Sequence, residues 1–106
     1  MSVPRKGNPN WQVHPGEILR EEFLVPMNLS ASRLAKLLHV SPPTVNDIVL
    51  KRRAITAEMA VRLAKFFGTT ERFWLNLQGT YDVSRAKNQL AGTLKAIKPL
   101  AREAGA

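Results

Sequence analysis

Apolar side chains recur every three to four positions along most of this chain, separated by polar residues that start or stop helices. A first helix is predicted from Pro15 to the residue before Pro26, because proline is tolerated in a first turn but ends a helix that reaches it. A second helix is predicted to begin after Ser30, whose hydroxyl can cap it, and to break at His39-Val40. Ser41-Pro42 then starts a third. The turn between the second and third predicted helices is therefore very short.

The later helices carry the same kinds of signal. Thr56 is predicted to cap a fourth helix, which ends at Gly68. Thr70 is predicted to cap a fifth helix. Its path beyond Gly79 is left open by the sequence, because Gly79 and Gly92 each cost about 1 kcal/mol in a helix interior. This succession of amphipathic helices predicts an all-α fold.

The chain divides into three predicted parts. Residues 1–13 contain proline, glycine and asparagine without any periodicity, which is typical of a flexible N-terminal arm. Residues 14–82 contain the five predicted helices and form the main domain. Residues 83–106 are predicted to be a helical extension and a tail.

The segment from Ser30 to Ile48 meets most requirements of a helix-turn-helix. Ala35 is a small residue midway along the first helix, so the second helix can cross it closely. Val45 and Ile48 are apolar residues that can dock the second helix. The turn needs a residue with positive φ, usually glycine, and here it is His39, a residue type that visits this region more readily than most.

Composition favours a polyanionic partner. The chain has 16 Lys+Arg against 8 Asp+Glu, a formal net charge of +8, and each phosphate that a cation neutralises releases condensed counterions. It has no cysteine, which excludes disulfides and thiolate metal sites. The two histidines lie in different predicted structures, so we expect neither a metal nor a cofactor. Without a long apolar run or a signal-peptide pattern, we expect no membrane contact and a cytoplasmic protein.

A helix-turn-helix in a basic chain predicts contact with double-stranded DNA through the third helix, whose first residues would reach base edges in the major groove. Asn46 suits a bidentate contact to adenine, and Thr44 a thymine methyl or a phosphate. Asp47 suits cytosine or, equally well, a nearby arginine or lysine, and the sequence leaves both open. The predicted base-reading residues are Pro43, Thr44, Asn46 and Asp47.

The DNA backbone is expected to meet the basic loop that follows the third helix, where cations would position the protein without reading sequence. The alternative for this loop is a solvated charge run that aids solubility. The predicted phosphate contacts are Arg33, Lys36, Ser41, Lys51, Arg52 and Arg53.

Three runs of sequence around this motif resemble the HigA antitoxins, a branch of the Xre/Cro-like repressors. They are His14-Pro-Gly-Glu-Ile-Leu-Arg-Glu-Glu-Phe23, the run from Ile55 to Gly68, and Phe73-Trp-Leu-Asn-Leu-Gln78 followed by Tyr81-Asp82. The resemblance implies a five-helix lambda-repressor-like DNA-binding domain with a C-terminal helical extension. It also implies a homodimer that represses its own toxin–antitoxin operon and neutralises HigB, a ribosome-dependent mRNA endonuclease. His39 replaces the usual turn glycine of this family.

Two protein interfaces are predicted from these helices. Leu75, Leu77 and Tyr81 are expected to form a two-fold interface between fifth helices, which would set two recognition helices about 34 Å apart. Glu21 and Glu22 on the first helix are expected to bind the toxin, which is basic in this family.

Other functions fit the sequence less well. A stand-alone helix-turn-helix repressor without a toxin partner is the main alternative. A protein-binding adaptor that uses the acidic first helix is compatible with antitoxin function. We do not expect an enzyme, because the chain has two separated histidines, no cysteine and no glycine-rich phosphate loop.

Overall fold

The computed structural model describes residues 13–101, and this range contains helices and no strand, which confirms the predicted all-α fold. Residues 1–12, which hold nearly all of the predicted flexible arm, and residues 102–106 lie outside the described range. The elements, in order, are α1 (Pro15–Ile18), which continues as a π-helical segment π1 (Leu19–Leu24), then α2 (Ala31–Leu38), α3 (Pro42–Val49), α4 (Ala57–Phe67), α5 (Glu71–Gln89) and α6 (Ala91–Ala96).

Polar side chains begin most of these helices as predicted. The Ser30 hydroxyl accepts a hydrogen bond from the backbone N–H of Arg33 at 3.0 Å, and Thr56 and Thr70 cap α4 and α5 in the same way. Ser41 precedes α3 but makes no such bond, and its hydroxyl lies 2.8 Å from that of Thr44 instead. Each bond to a free backbone amide fixes the residue at which a helix starts.

The first predicted helix is continuous up to Leu24 but changes its winding after α1. Val25 donates its backbone N–H to the Arg20 carbonyl at 2.9 Å, a bond that spans five residues. The wider π turn brings residues five apart onto one side of the helix. Leu19 and Leu24 are both buried as a result.

The core lies where α1 to α5 meet. Leu34, Val45, Ile48 and Leu63 are fully buried. Trp74 of α5 is also fully buried, and its indole N–H donates to the Thr69 hydroxyl at 2.7 Å. Aromatic rings extend this core, since Phe23 lies 4.7 Å from Phe67 and 5.0 Å from Trp74 between ring centroids.

The fifth helix passes through Gly79 without a break and reaches Gln89, which answers the question that the sequence left open. Beyond it, α6 contains no buried residue. The apolar side chains of this end, Leu90, Leu94, Ile97 and Leu100, are exposed to between 44% and 79%. No helix within residues 13–101 has the length and apolar character needed to cross a membrane.

Candidate nucleic-acid interface

The turn between α2 and α3 has the geometry that a helix-turn-helix requires. His39 adopts φ 62° and ψ 43°, in the left-handed region, as predicted for the turn position. The N–H of the next residue, Val40, donates to the Ala35 carbonyl at 3.0 Å and closes the end of α2. Ala35 is fully buried, which lets the two helices pack closely.

The first turns of α3 carry the predicted base-reading residues. Pro43 and Asn46 are exposed, whereas Thr44 and Asp47 are half-buried. Asn46 therefore presents a carbonyl and an amino group to the surroundings, the pair that a bidentate contact to adenine needs. The Thr44 hydroxyl is engaged with Ser41 in the free protein.

Asp47 lies beside the basic loop, so the structure favours an arginine partner over a free carboxylate. Its Oδ2 is 3.7 Å from Arg53, and its Oδ1 is 4.0 Å from Arg52. The backbone carbonyl of Asp47 also accepts the N–H of Arg52 at 2.8 Å. Both arginines are thereby oriented relative to α3, and direct readout by Asp47 stays a prediction.

The basic loop itself is well exposed. The side chains of Arg52 and Arg53 are 70% and 48% exposed. Lys51 adopts a positive φ of 67° and places its ammonium 3.5 Å from Glu17 at the start of the chain's first helix. All three cations of the loop thus have a carboxylate neighbour, and Arg52 is the most exposed of them.

On α2, Arg33 and Lys36 are exposed and line one open groove together with Val40 and Pro42. Pro42 is the first residue of α3, so Arg33 and Lys36 lie beside the start of the helix that carries the base-reading residues. Ser41 is exposed at the same junction. The structure therefore brings the predicted α2 and α3 residues close to one another.

The contacts that hold the C-terminal end of α3 against the first helix were not predicted from the sequence. Gly16 packs so tightly against the C-terminal end of α3 that a Cβ there would overlap the Ile48 carbonyl oxygen. His14, just before it, is buried, accepts the Gly16 N–H at Nδ1 (2.9 Å) and packs its ring 4.9 Å from Tyr81. The start of the first helix therefore joins α3 to α5.

The pKa of His14 is lowered from the ordinary value of 6.5. Burial is the main cause, because it disfavours the charged imidazolium. Lys51 and Arg85 add to the lowering, and Asp82 opposes it. Neutral His14 keeps Nδ1 available as the acceptor that caps α1.

The residues predicted for a dimer interface are divided by the structure. Leu77 is partly buried against the core, and Tyr81 contacts His14 and has the Arg85 guanidinium 5.6 Å from its ring centroid. Both therefore have partners within the protomer. Leu75 also packs partly against the core, but it lines an open groove along α5 as well, whose other lining residues are Asn76, Gly79, Thr80, Val83, Ser84 and Lys87.

The residues predicted for toxin binding lie on π1. Glu21 is exposed and pairs with Arg20 at 2.7 Å, and Glu22 is half-buried. Two apolar side chains follow them on the surface, Val25 at 61% and Met27 at 54% exposure. This end of the first helix is an acidic and apolar surface.

The sequence and the structure of the chain match known helix-turn-helix proteins. The HTH_3 helix-turn-helix family model matches residues 19–74. Virulence-associated protein I of Dichelobacter nodosus is 49% identical over 98% of this chain and 95% of its own length, and antitoxin HigA-1 of Vibrio cholerae is 36% identical over 83% of each. The solved structure of the Pseudomonas aeruginosa antitoxin HigA with the higBA promoter superposes with a TM-score of 0.83 at 46% identity, covering 86% of this chain and 100% of that one.

The chain belongs to the HigA-type antitoxins of the helix-turn-helix family. This confirms the resemblance found in the sequence and the predicted fold class. The family consists of DNA-binding proteins and not of enzymes. Within residues 13–101 no group of three or more histidine, aspartate or glutamate side chains is placed to hold a metal ion. As a member of a DNA-binding family, this HigA-type chain is expected to act through a binding surface.

Proposed function

We propose that this protein is the antitoxin of a toxin–antitoxin pair, which binds the operator of its own operon and neutralises a HigB-like mRNA endonuclease. The single observation that carries the proposal is the exposed start of α3 beside an exposed arginine loop, in the geometry of a helix-turn-helix. The structure of a relative of the same family has been solved with the higBA promoter, which supports an operator as the ligand.

On DNA, the two sets of residues have different roles. Pro43, Thr44, Asn46 and Asp47 face the base edges, and Asn46 is the strongest candidate for direct readout. The exposed cations bind phosphates and fix the register of α3 in the groove. These phosphate contacts come from Arg33, Lys36, Lys51, Arg52 and Arg53, with Ser41 at the junction.

A second copy of the chain completes the operator complex. The groove along α5 is open, and its small residues Gly79 and Ser84 allow another helix to approach closely. Leu75 and Val83 supply apolar area along it. Two protomers joined there present two copies of α3 to a palindromic site.

The toxin binds the acidic end of the first helix. Glu21 and Glu22 attract the basic toxin that the family implies, and the exposed Val25 and Met27 add apolar contact area. This surface precedes α2 in the chain and does not include the base-reading residues of α3.

Operator binding is tested by gel retardation of the promoter fragment at several salt concentrations. Arg52→Ala should weaken binding to all sequences and lower the salt slope by about one phosphate contact. Asn46→Ala should relax preference at one base position, which costs about 1–3 kcal/mol of discrimination there. Lys95→Ala on the exposed α6 is the matched control for charge.

The DNA assignment is rejected if wild-type protein fails to retard its own promoter in dilute buffer. An Arg52→Ala slope equal to that of wild type would remove the phosphate assignment alone.

Toxin binding is tested by co-expressing the chain with a HigB-like toxin. Reversing Glu21 and Glu22 to lysine should reduce co-purification of the toxin without weakening operator binding. Glu71→Lys, an exposed site at the start of α5, is the control for the change in charge. Operator binding without any toxin capture by wild type would favour the stand-alone repressor.

A further inference from the structure

One buried polar side chain of α5 reaches the loop that carries the predicted phosphate contacts. Gln78 is only 7% exposed. Its Oε1 accepts the backbone N–H of Ile55 at 2.7 Å, and its Nε2 donates to Oδ1 of Asp82 at 2.9 Å. Both ends of the amide are therefore occupied, and the two partners fix which way it points.

The loop between α3 and α4 is held at two places. At its start, the N–H groups of Lys51 and Arg52 donate to the carbonyls of Ile48 and Asp47 at 3.0 and 2.8 Å. At its end, the Ile55 side chain is buried in the core and its N–H is bound by Gln78. Between these two anchors the side chains of Arg52 and Arg53 project into solvent.

We propose that Gln78 is a positioning residue for DNA binding, which holds the arginine loop at a fixed distance from α3 through Ile55. The proposal rests on the proposed operator binding. Asp82 helps Gln78 in this role, because its carboxylate accepts from Nε2 of Gln78 and so keeps Oε1 directed at the loop. Gln78 touches no DNA itself and acts through the loop backbone.

A loop that is fixed before binding loses less conformational freedom when it meets the phosphates. Without the bond from Ile55, that freedom must be removed during binding, and ordering the backbone of one residue lowers affinity by about tenfold. The number of cations is unchanged by such a loss. Affinity should therefore fall while the slope of its salt dependence stays the same.

The variant Gln78→Met removes the bond and keeps a side chain of similar length in the buried site. The matched control is Gln89→Met, at the exposed last residue of α5. Operator affinity of Gln78→Met should be about tenfold lower than wild type with an equal salt slope, and that of Gln89→Met should be unchanged. In hydrogen exchange without DNA, the Ile55 amide should exchange faster in Gln78→Met than in the control.

A paired exchange separates positioning from general damage to the fold. Gln78→Glu alone places a second carboxylate against Asp82 and should weaken binding. Gln78→Glu with Asp82→Asn conserves the total charge, because one carboxylate is gained and one is lost. The hydrogen bonds are also conserved, since the new glutamate accepts from both the Ile55 N–H and the new amide. This double variant should restore Ile55 protection and bring operator affinity to within about twofold of wild type.

Three outcomes decide the proposal. Accelerated exchange at Ile55, reduced affinity at constant slope and recovery in the double variant support it. Wild-type affinity in a Gln78→Met protein whose Ile55 amide exchanges faster would overturn it, as would unchanged exchange. If wild-type protein does not bind its promoter, the proposed function fails, and the exchange experiment alone decides whether Gln78 holds the loop.

Discussion

At Gly16 the backbone of α1 meets the C-terminal end of α3 with no room for a side chain. A Cβ there would overlap the Ile48 carbonyl oxygen, which is backbone and cannot rotate away. We expect Gly16→Ala to lower the free energy of unfolding by about 3 kcal/mol, at the upper end of overpacking effects. Gly92→Ala, at a helical glycine whose Cβ would meet nothing within 4 Å in the described structure, should not be destabilising. Urea unfolding of both variants measures the difference, and equal stabilities would contradict the close packing.

His14 makes stability depend on pH in a predictable direction. Since its pKa is lowered below the ordinary 6.5, the folded chain binds fewer protons at this site than the unfolded chain does. The free energy of unfolding that His14 contributes is therefore present above about pH 6.5 and is lost as the pH falls below it. His14→Asn keeps a capping side chain without the titration.

This pH dependence is measured by urea unfolding between about pH 7.5 and 5.5, above the range where most carboxylates titrate. The stability of wild type should fall across this range, and that of His14→Asn should fall less. His39→Asn removes the chain's other, exposed histidine and is the matched control. An equal decline in wild type and His14→Asn would exclude His14 as the source.

Single residues show which features a sequence can reveal. The caps Ser30 and Thr56 and the left-handed turn at His39 were predicted, because each depends on neighbours within a few positions. The contact of His14 with Tyr81 and the role of Gln78 were missed, because Tyr81 and Ile55 are 67 and 23 positions away from them, respectively. A buried polar side chain is identified only when the packing around it is known.

At the scale of elements, Arg62 ties α4 to the end of α2. Its NH1 donates to the Leu38 carbonyl at 2.6 Å, one of the carbonyls that a helix end leaves without a partner. Its other nitrogens pair with Glu58, whose side chain is 74% exposed. The bond to Leu38 acts just before the turn at His39 and so stabilises the entry into the helix-turn-helix.

Removing both contacts of Arg62, or only its pair with Glu58, should give unequal effects. Arg62→Met should lower the free energy of unfolding by about 1–3 kcal/mol, because the Leu38 carbonyl loses a charged donor. Glu58→Ala should cost less than about 1 kcal/mol, since exposed ion pairs contribute little. Thermal unfolding of the two variants tests this, and a larger loss in Glu58→Ala would contradict it.

Tertiary packing explains two features of the helices that the sequence did not settle. The first helix changes to π winding, which the spacing of its apolar residues did not predict; the wider turn brings Leu19 and Leu24 into the core together. The fifth helix continues through Gly79, because Trp74 and Gln78 anchor the preceding turn in the core. Tertiary packing outweighs the helix propensity of one glycine.

For the whole molecule, the proposed dimer depends on the exposed side of α5. All three residues predicted from sequence pack partly against their own protomer. Of these, Leu75 also lines the open groove, which includes Gly79. Periodicity alone did not distinguish the two sides, because both carry apolar residues.

A large side chain at Gly79 should therefore separate dimerisation from folding. A Cβ at this position meets no atom within 4 Å in the described protomer, so Gly79→Leu should fold and gain about 1 kcal/mol of helix propensity. The same side chain would fill the groove and hold a second α5 away. In sedimentation at micromolar concentration we expect a monomer for Gly79→Leu and a dimer for wild type.

Asn88→Leu, exposed on the same helix and outside the groove, should stay dimeric. Operator affinity should fall only in Gly79→Leu, because its two recognition helices are no longer joined at one DNA turn. A dimer of wild-type strength in Gly79→Leu would move the interface to another surface.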